Sequence, residues 1–442
     1  MKKIFASVGL AALGASTLQA QYAPGLSAIE TQKPWSLSAS LRGFYDDNYL
    51  TLPGHFATSA TTTASKRASW GVELAPSISF NHSVEDTLIA ASYVYDLRYY
   101  EDHSTKDQTH QFNAKLDHQF SERYKLNIGE SFVIAQEPTV LDASVVTSPL
   151  RVPGNNVRNT GNIDFFGIMT KLLDFHLGYV NTVTAYQQTE GDVVGDDLVP
   201  GIGGPIPSRS AALDRMDQLV IGDLRWKFRP ETTGVTGAQY EHVDYTSPEY
   251  IIFPAPGQAG FRANIRNSDS YFGFVGVDQS FTPNLNGTLR VGGEYVDYYK
   301  AHQNEVSPYV DASLTWQYMA QSYVQAGVKH IHNSTDVVGG FGVGATPVLD
   351  EESTAAYISL SHTISSLTIS VLGQAQFSDF KGGGAGFDGA SDDFYVAGIN
   401  LSYRINPFLV TEAGYNYNRL ISDLGSRSYV RNQVYVGIRA TY

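Results

Sequence analysis

Charged side chains recur at alternate positions along this chain: Asp96 and Arg98, Lys115 and Asp117, Asp223, Arg225 and Lys227, Arg290 and Glu294, Arg431 and Arg439. Residues two apart share one face of an extended strand. Such spacing builds a charged wall rather than a catalytic constellation, and its chemistry is contact with water, ions and polar solutes. Arg42, Arg123, Lys125, Arg404 and Glu412 join the same face, on which bases outnumber acids. Two readings follow. A cationic throat would favour anionic or hydroxyl-rich solutes; alternatively the charges pair across strands, as opposite charges commonly do in sheets, and confer no selectivity.

Other chemistry-bearing residues say less. His330 and His332 form an H-x-H on one strand face, continuing Val324, Ala326 and Val328 toward the outer headgroup level. No third ligand is evident beside them, and zinc needs three or four, so no metal is expected. Gly340, Gly342 and Gly344 lie in a long loop without a following helix, which argues against a dinucleotide site. Neither H-E-x-x-H nor G-x-S-x-G occurs. Neither an enzyme nor a cofactor is expected.

The residues between the charged ones are apolar. Ile89, Ala91, Tyr93, Tyr95, Leu97 and Tyr99 oppose Ser92, Asp96 and Arg98, and Phe112, Ala114, Leu116 and Phe120 oppose Lys115 and Asp117. Val220, Leu224, Trp226 and Phe228, then Leu289, Val291 and Tyr295, then Tyr395, Ile399, Leu401 and Tyr403 repeat the pattern. The chain ends on it: Val434, Val436, Ile438 and the final Tyr442 form an apolar C-terminal row of the kind a barrel-assembly machinery would read. Glu130 sits on the apolar face of its strand, and the register of 264–281 is ambiguous.

Eighteen strands are predicted, near 35–50, 69–82, 86–101, 106–121, 122–136, 156–172, 173–189, 211–229, 230–246, 264–281, 284–301, 302–318, 320–334, 352–365, 366–380, 391–406, 407–421 and 428–442. Sixteen is the alternative count. Alternate joints are short (Leu173-Asp174, Ala320-Gln321, Ser365-Ser366), whereas those between them are mostly long (51–68, 137–155, 190–210, 247–263, 335–351). Short turns on one side and long loops on the other are the habit of an all-β transmembrane up-and-down barrel. A barrel this wide leaves an aqueous channel unless something narrows it. Loops 137–155 and 190–210 are the candidates for that, since strands tile the chain from Trp35 onward.

Composition agrees. Lys2 and Lys3, the apolar run from Ile4 to Leu13 and Leu18-Gln19-Ala20 read as a cleaved export signal over 1–20, followed by a short periplasmic segment 21–34 and the barrel 35–442. Loss of the two lysines takes the formal charge from −14 to about −16, which argues against nucleic acid as a partner. There is no Cys, hence neither a lipoprotein anchor nor a disulfide. The 28 Tyr and 22 Phe suit aromatic girdles at the two membrane interfaces. Acids gather in predicted loops: Glu190, Asp192, Asp196, Asp197, Asp350, Glu351, Glu352, Asp388, Asp392 and Asp393. They are expected to be solvated, with cation bridges to lipopolysaccharide as the alternative.

Three segments carry a family resemblance: Gly43-Phe44-Tyr45-Asp46-Asp47-Asn48, the Tyr-rich Ala91–Tyr100, and His110-Gln111-Phe112-Asn113-Ala114. They resemble the putative β-barrel porin type 2 proteins, best over roughly the first 140 residues. The resemblance implies a porin-like protein of the Gram-negative outer membrane. The expected function is passive diffusion of small hydrophilic, anionic or sugar solutes; exopolysaccharide export, or a structural barrel with a blocked lumen, are the alternatives. Expected partners are outer-membrane lipid and lipopolysaccharide, the assembly machinery, the solutes themselves and, by analogy with porins, further copies of the chain.

Overall fold

Apolar and polar residues alternate through eighteen segments, and a strand so patterned can satisfy its backbone beside lipid only by pairing on both sides. The computed structural model describes residues 34–52, 56–57, 63–64, 66–102, 105–135, 155–189, 207–340, 343–424 and 427–442. The segment 1–20, residues 21–33 and most of loops 137–155 and 190–210 lie outside the described residues.

The eighteen strands are β1 (Trp35–Asp46), β2 (Ser69–Val84), β3 (Thr87–Tyr100), β4 (Thr105–Gln119), β5 (Tyr124–Ala135), β6 (Asn156–Ile168), β7 (Leu173–Tyr186), β8 (Arg215–Arg229) and β9 (Thr232–Tyr245) in the first half. The second half comprises β10 (Ser268–Thr282), β11 (Leu285–Tyr298), β12 (Gln303–Met319), β13 (Ser322–Asn333), β14 (Val348–Ile364), β15 (Leu367–Gly382), β16 (Ser391–Asn406), β17 (Leu409–Ser422) and β18 (Tyr429–Thr441). Each runs antiparallel to its sequence neighbours. β1 also pairs with β18, from Ser38 opposite Thr441 to Asp46 opposite Gln433, so the sheet closes on itself. Among the described residues no helix is long and apolar enough to cross a membrane.

Loop parity holds. Joints such as Glu85-Asp86, Ala320-Gln321 and Ser365-Ser366 are two-residue turns in which Glu85, Gln321 and Ser365 take left-handed φ of 48°, 60° and 54°. Tight hairpins of this kind need positive φ at their centre. On the other side the connections 47–68, 187–214, 246–267 and 334–347 are long.

The faces follow the expected periodicity. Ile89, Leu177, Val220, Trp226, Leu289, Val291, Ile399, Val434, Val436 and Tyr442 are exposed on the outside. β10 reads ambiguously because both of its faces are apolar. Tyr271 and Val275 point out, whereas Phe272 and Phe274 point in and pack with Val235 and Tyr309. Glu130 does lie on the outer face, where it accepts a hydrogen bond from Asn159 Nδ2 at 2.6 Å and lies over Gly161, opposite it in register.

Three expectations are corrected. Residues 209–213 form a one-turn helix, α1 (Arg209–Leu213), not strand, because the Ser208 hydroxyl accepts from Ala211 N and caps it. Ala263–Arg266 is a 3-10 turn, so β10 starts only at Ser268. Asp350, Glu351, Glu352, Asp392 and Asp393 are not solvated loop acids, since β14 begins at Val348 and β16 at Ser391, and Asp350, Glu351 and Asp392 are buried.

Outer and inner faces should be told apart by one substitution. Val291 points outward at mid-strand, while its neighbour Arg290 points inward and holds Asp278 at 2.6 Å. Val291→Arg is expected to destabilise the folded barrel by about 2–4 kcal/mol in a lipid bilayer. Urea unfolding in liposomes measures it, and an unchanged midpoint would contradict the outward face.

Candidate functional site

Alternation that makes the outside apolar makes the inside a lattice of charge. Arg42 donates to Glu73 at 2.8 Å and to Glu412 at 2.7 Å, and Arg439 reaches the other oxygen of Glu412 at 2.5 Å. Arg98 lies 3.2 Å from Glu73 and 3.5 Å from Asp96. This network straddles β1, β2, β3, β17 and β18, across the seam where the barrel closes. Farther round the wall Lys115 meets Asp117 (2.9 Å), Arg225 meets Asp223 (2.7 Å) and Lys227 meets Asp174 (2.5 Å). Arg431 meets Asp46 at 2.6 Å. Of the predicted wall residues, Arg404 is exposed near the short-turn end, and Glu294 is buried on β11, where it accepts from His332 N at 3.4 Å.

Arg98 with Asp96, Lys115 with Asp117 and Arg225 with Asp223 are the alternate-position neighbours of the sequence, whereas the cross-strand partners of Arg42, Lys227, Arg431 and Arg439 depend on register, which the sequence does not display. Sequence inspection passed over Arg158, an exposed inward base on β6 for which no ion partner is found among the described residues, and His176. His176 bridges Asp164 and Asp223 at 2.8 Å each and stacks on Phe166. Both ring nitrogens of that imidazole are taken by carboxylates, so it orders Asp164 and Asp223 against each other. Ser307, His330 and Glu352 also meet, with the wrong geometry for acyl transfer. The Ser307 hydroxyl donates to Glu352 at 2.6 Å, and His330 Nδ1 bonds Thr354 (2.7 Å) instead of an acid. A triad needs the acid on that nitrogen.

At the long-loop end, segments from opposite sides of the cylinder meet. Val338, in the β13–β14 loop, packs on Ala212 and Leu213 of α1, just before β8. Two residues earlier, Asp336 takes both terminal nitrogens of Arg427, at 2.9 Å each, from the β17–β18 loop. Strands β8 and β17 are nine apart in a ring of eighteen, and so diametrically opposed. The β13–β14 loop therefore bridges the mouth.

Further contacts hold the bridge. Arg266 donates to Thr335 O at 3.0 Å and to Ala212 O, and Gln258 Nε2 donates to Ala345 O at 2.6 Å. Apolar residues of neighbouring connections and strand ends pack around it: Ile251 and Ala263 of the β9–β10 connection, Ala211 of α1 and Tyr245 at the end of β9 on one side, and Val348 of β14 and Phe380 of β15 against Val337 on the other. Arg427 also holds Asp392 at 2.9 Å. Burial alone would lower its pKa, but the carboxylates of Asp336 and Asp392 more than reverse this and hold it above its ordinary value. The bridge thus differs from the loops expected to narrow the mouth.

The sequence model of the family described as putative beta-barrel porin 2 matches residues 257–442, which span β10 to β18 and the bridging loop. That is the family the opening segments resemble, although the match lies in the second part of the chain and not in its first 140 residues. No curated protein matches the sequence. Among solved structures the chain is similar to OccK11 (OpdR) of Pseudomonas aeruginosa, at 12% identity and a TM-score of 0.40, covering 92% of this chain and 96% of that one. OccK2 (OpdF) of the same organism, solved with glucuronate, is 10% identical with a TM-score of 0.43 over 92% and 98%. OccAB4 of Acinetobacter baumannii is 11% identical with a TM-score of 0.41 over 94% and 100%.

Proposed function

We propose that this chain is a porin-like channel of the Gram-negative outer membrane, through which small hydrophilic solutes diffuse along a polar lumen whose mouth the β13–β14 loop narrows. One observation carries the reading: a closed eighteen-stranded wall with an exposed apolar outer face and a charged inner one. Such a cylinder is wide enough to hold water along its axis. Arg42, Arg98, Lys115, Asp117, Arg225, Lys227, Arg290, Arg404, Arg431 and Arg439 are the residues that would line it, with Glu294 set back in the wall. Outer-membrane lipid would cover the apolar face, and the row Val434, Val436, Ile438 and Tyr442 would be read during assembly.

Pairing shapes the expected selectivity. Because Arg42, Arg98, Lys115, Arg225, Lys227, Arg290, Arg431 and Arg439 each have a carboxylate at salt-bridge distance, most of the predicted wall offers dipoles more than net charge. Neutral hydroxylated solutes suit it better than strongly charged ones. In planar bilayers the refolded chain should give steady openings, with an anion-to-cation preference no greater than about threefold. A sealed barrel would refute the channel and favour the structural alternative.

A further inference from the structure

We propose that the outer rim of the wall, where β12, β13 and β14 meet, binds a zinc ion on Glu305, His332 and Asp350. The argument starts from a gap in the sheet. β12 pairs with β11 from Gln303 to Trp316 but with β13 only from Val310 to Met319. The last pair is Val310 with His330, beyond which Ile331–Asn333 pair with β14 alone. The ladder therefore parts over the first seven residues of β12, and polar side chains from both edges fill the space.

Those side chains include the elements of a metal site. Ligand atoms of Glu305, His332 and Asp350 lie within 4.8 Å of one another. A contraction of about an ångström would bring them to tetrahedral spacing around zinc, with bonds near 2.1 Å. Asp350 is only 6% exposed; its Oδ2 accepts from His332 Nδ1 at 2.8 Å and from the Tyr298 hydroxyl, while its Oδ1 has no hydrogen-bond partner. A buried carboxylate oxygen left so is costly unless a cation meets it.

Charge count points the same way. Glu294, Glu305, Asp350 and Glu352 converge here, and the permanent cation beside them, Lys381, is engaged by Glu352 at 2.6 Å. One imidazole with two carboxylates is a mixed nitrogen and oxygen set. Calcium and magnesium favour shells of oxygen alone, whereas zinc accepts this mixture and can hold water in its fourth position. Sequence inspection missed the site because it looked for a partner beside His330 and His332 on one strand. The carboxylates come instead from the starts of β12 and β14.

The test uses the untagged full chain refolded in detergent, with zinc chloride as titrant. The site predicts one zinc per barrel, bound at least tenfold more weakly by Glu305→Gln and by His332→Ala, with His82→Ala at the short-turn end unchanged. Heat-modifiable migration on gels reports whether each variant is folded. Zinc should also raise the melting temperature of the parent and not that of a folded Glu305→Gln barrel, because a ligand stabilises only the state that binds it. Absence of stoichiometric zinc, or equal retention by the parent, Glu305→Gln and His332→Ala, would overturn the proposal and leave His332 as a plain ion partner of Asp350.

Discussion

Replacing residues 336–345 by a short Gly-Ser tether should raise single-channel conductance at least about twofold, since the narrowest cross-section limits current in a barrel of this width. The expectation rests on where the two ends of the bridge are anchored. Val338 packs against α1 on one rim, and Asp336 is forked by Arg427 on the other. Removing that span leaves the strands untouched, because β13 ends at Asn333 and β14 begins at Val348. Arg427→Gln should act in the same direction more weakly. It gives up the fork to Asp336 and the contact with Asp392 but leaves the apolar packing of Val337 in place. Planar-bilayer recordings decide the matter: an unchanged conductance in the tethered variant would place the constriction elsewhere.

The second large effect is expected at the seam. Arg42 is 9% exposed and its guanidinium holds Glu73 and Glu412 from neighbouring strands on either side of β1 and β18. Arg42→Met removes the cation between two buried carboxylates. Breaking a buried pair from one side is far more costly than replacing both partners, about 3 kcal/mol or more. Arg98 and Arg439 still reach those acids, which keeps the expectation at the low end. Because the seam is the last pairing a closed sheet can make, the variant should also close more slowly. Urea unfolding in detergent gives the loss, and the conversion of unfolded to compact bands on gels gives the rate. A double variant, Arg42→Met with Glu73→Leu, should recover part of the stability, because Arg98 keeps Asp96 and Glu412 keeps Arg439; failure to recover any would point to packing instead of charge.

Much of the fold was legible in the residues. The alternation of Ile89 to Tyr99 against Ser92, Asp96 and Arg98 can be met only by a half-greasy strand; runs of this kind gave the strand count, and the sorting of joints by length supported it. Where both faces were apolar, as at Phe272 and Phe274, periodicity could not choose, because an inner aromatic cluster looks in sequence like a lipid face. The site was half readable. Which residues point inward follows from parity, and so do same-strand pairs such as Lys115 with Asp117 and Arg225 with Asp223; the cross-strand pairs, such as Arg42 with Glu412 or Lys227 with Asp174, follow from register, and nothing local encodes them. The bridge was invisible for the same reason at longer range, for Asp336 and Arg427 are 91 residues apart. His330 and His332 were noticed, but their acids approach through a parted ladder that only the three-dimensional pairing displays.

Matched charges on the inner wall bear on how the barrel would behave as salinity changes. Fixed net charge projects a field over a Debye length, about 8 Å at 0.15 M salt and roughly 30 Å at 0.01 M, so a strongly charged pore changes its preference with dilution. Ion pairs closed at 2.5–3.2 Å, such as Arg439 with Glu412 and Arg98 with Glu73, project much shorter fields. A cell moved from brackish to fresh water would keep the same sieve, its current falling in proportion to the electrolyte outside.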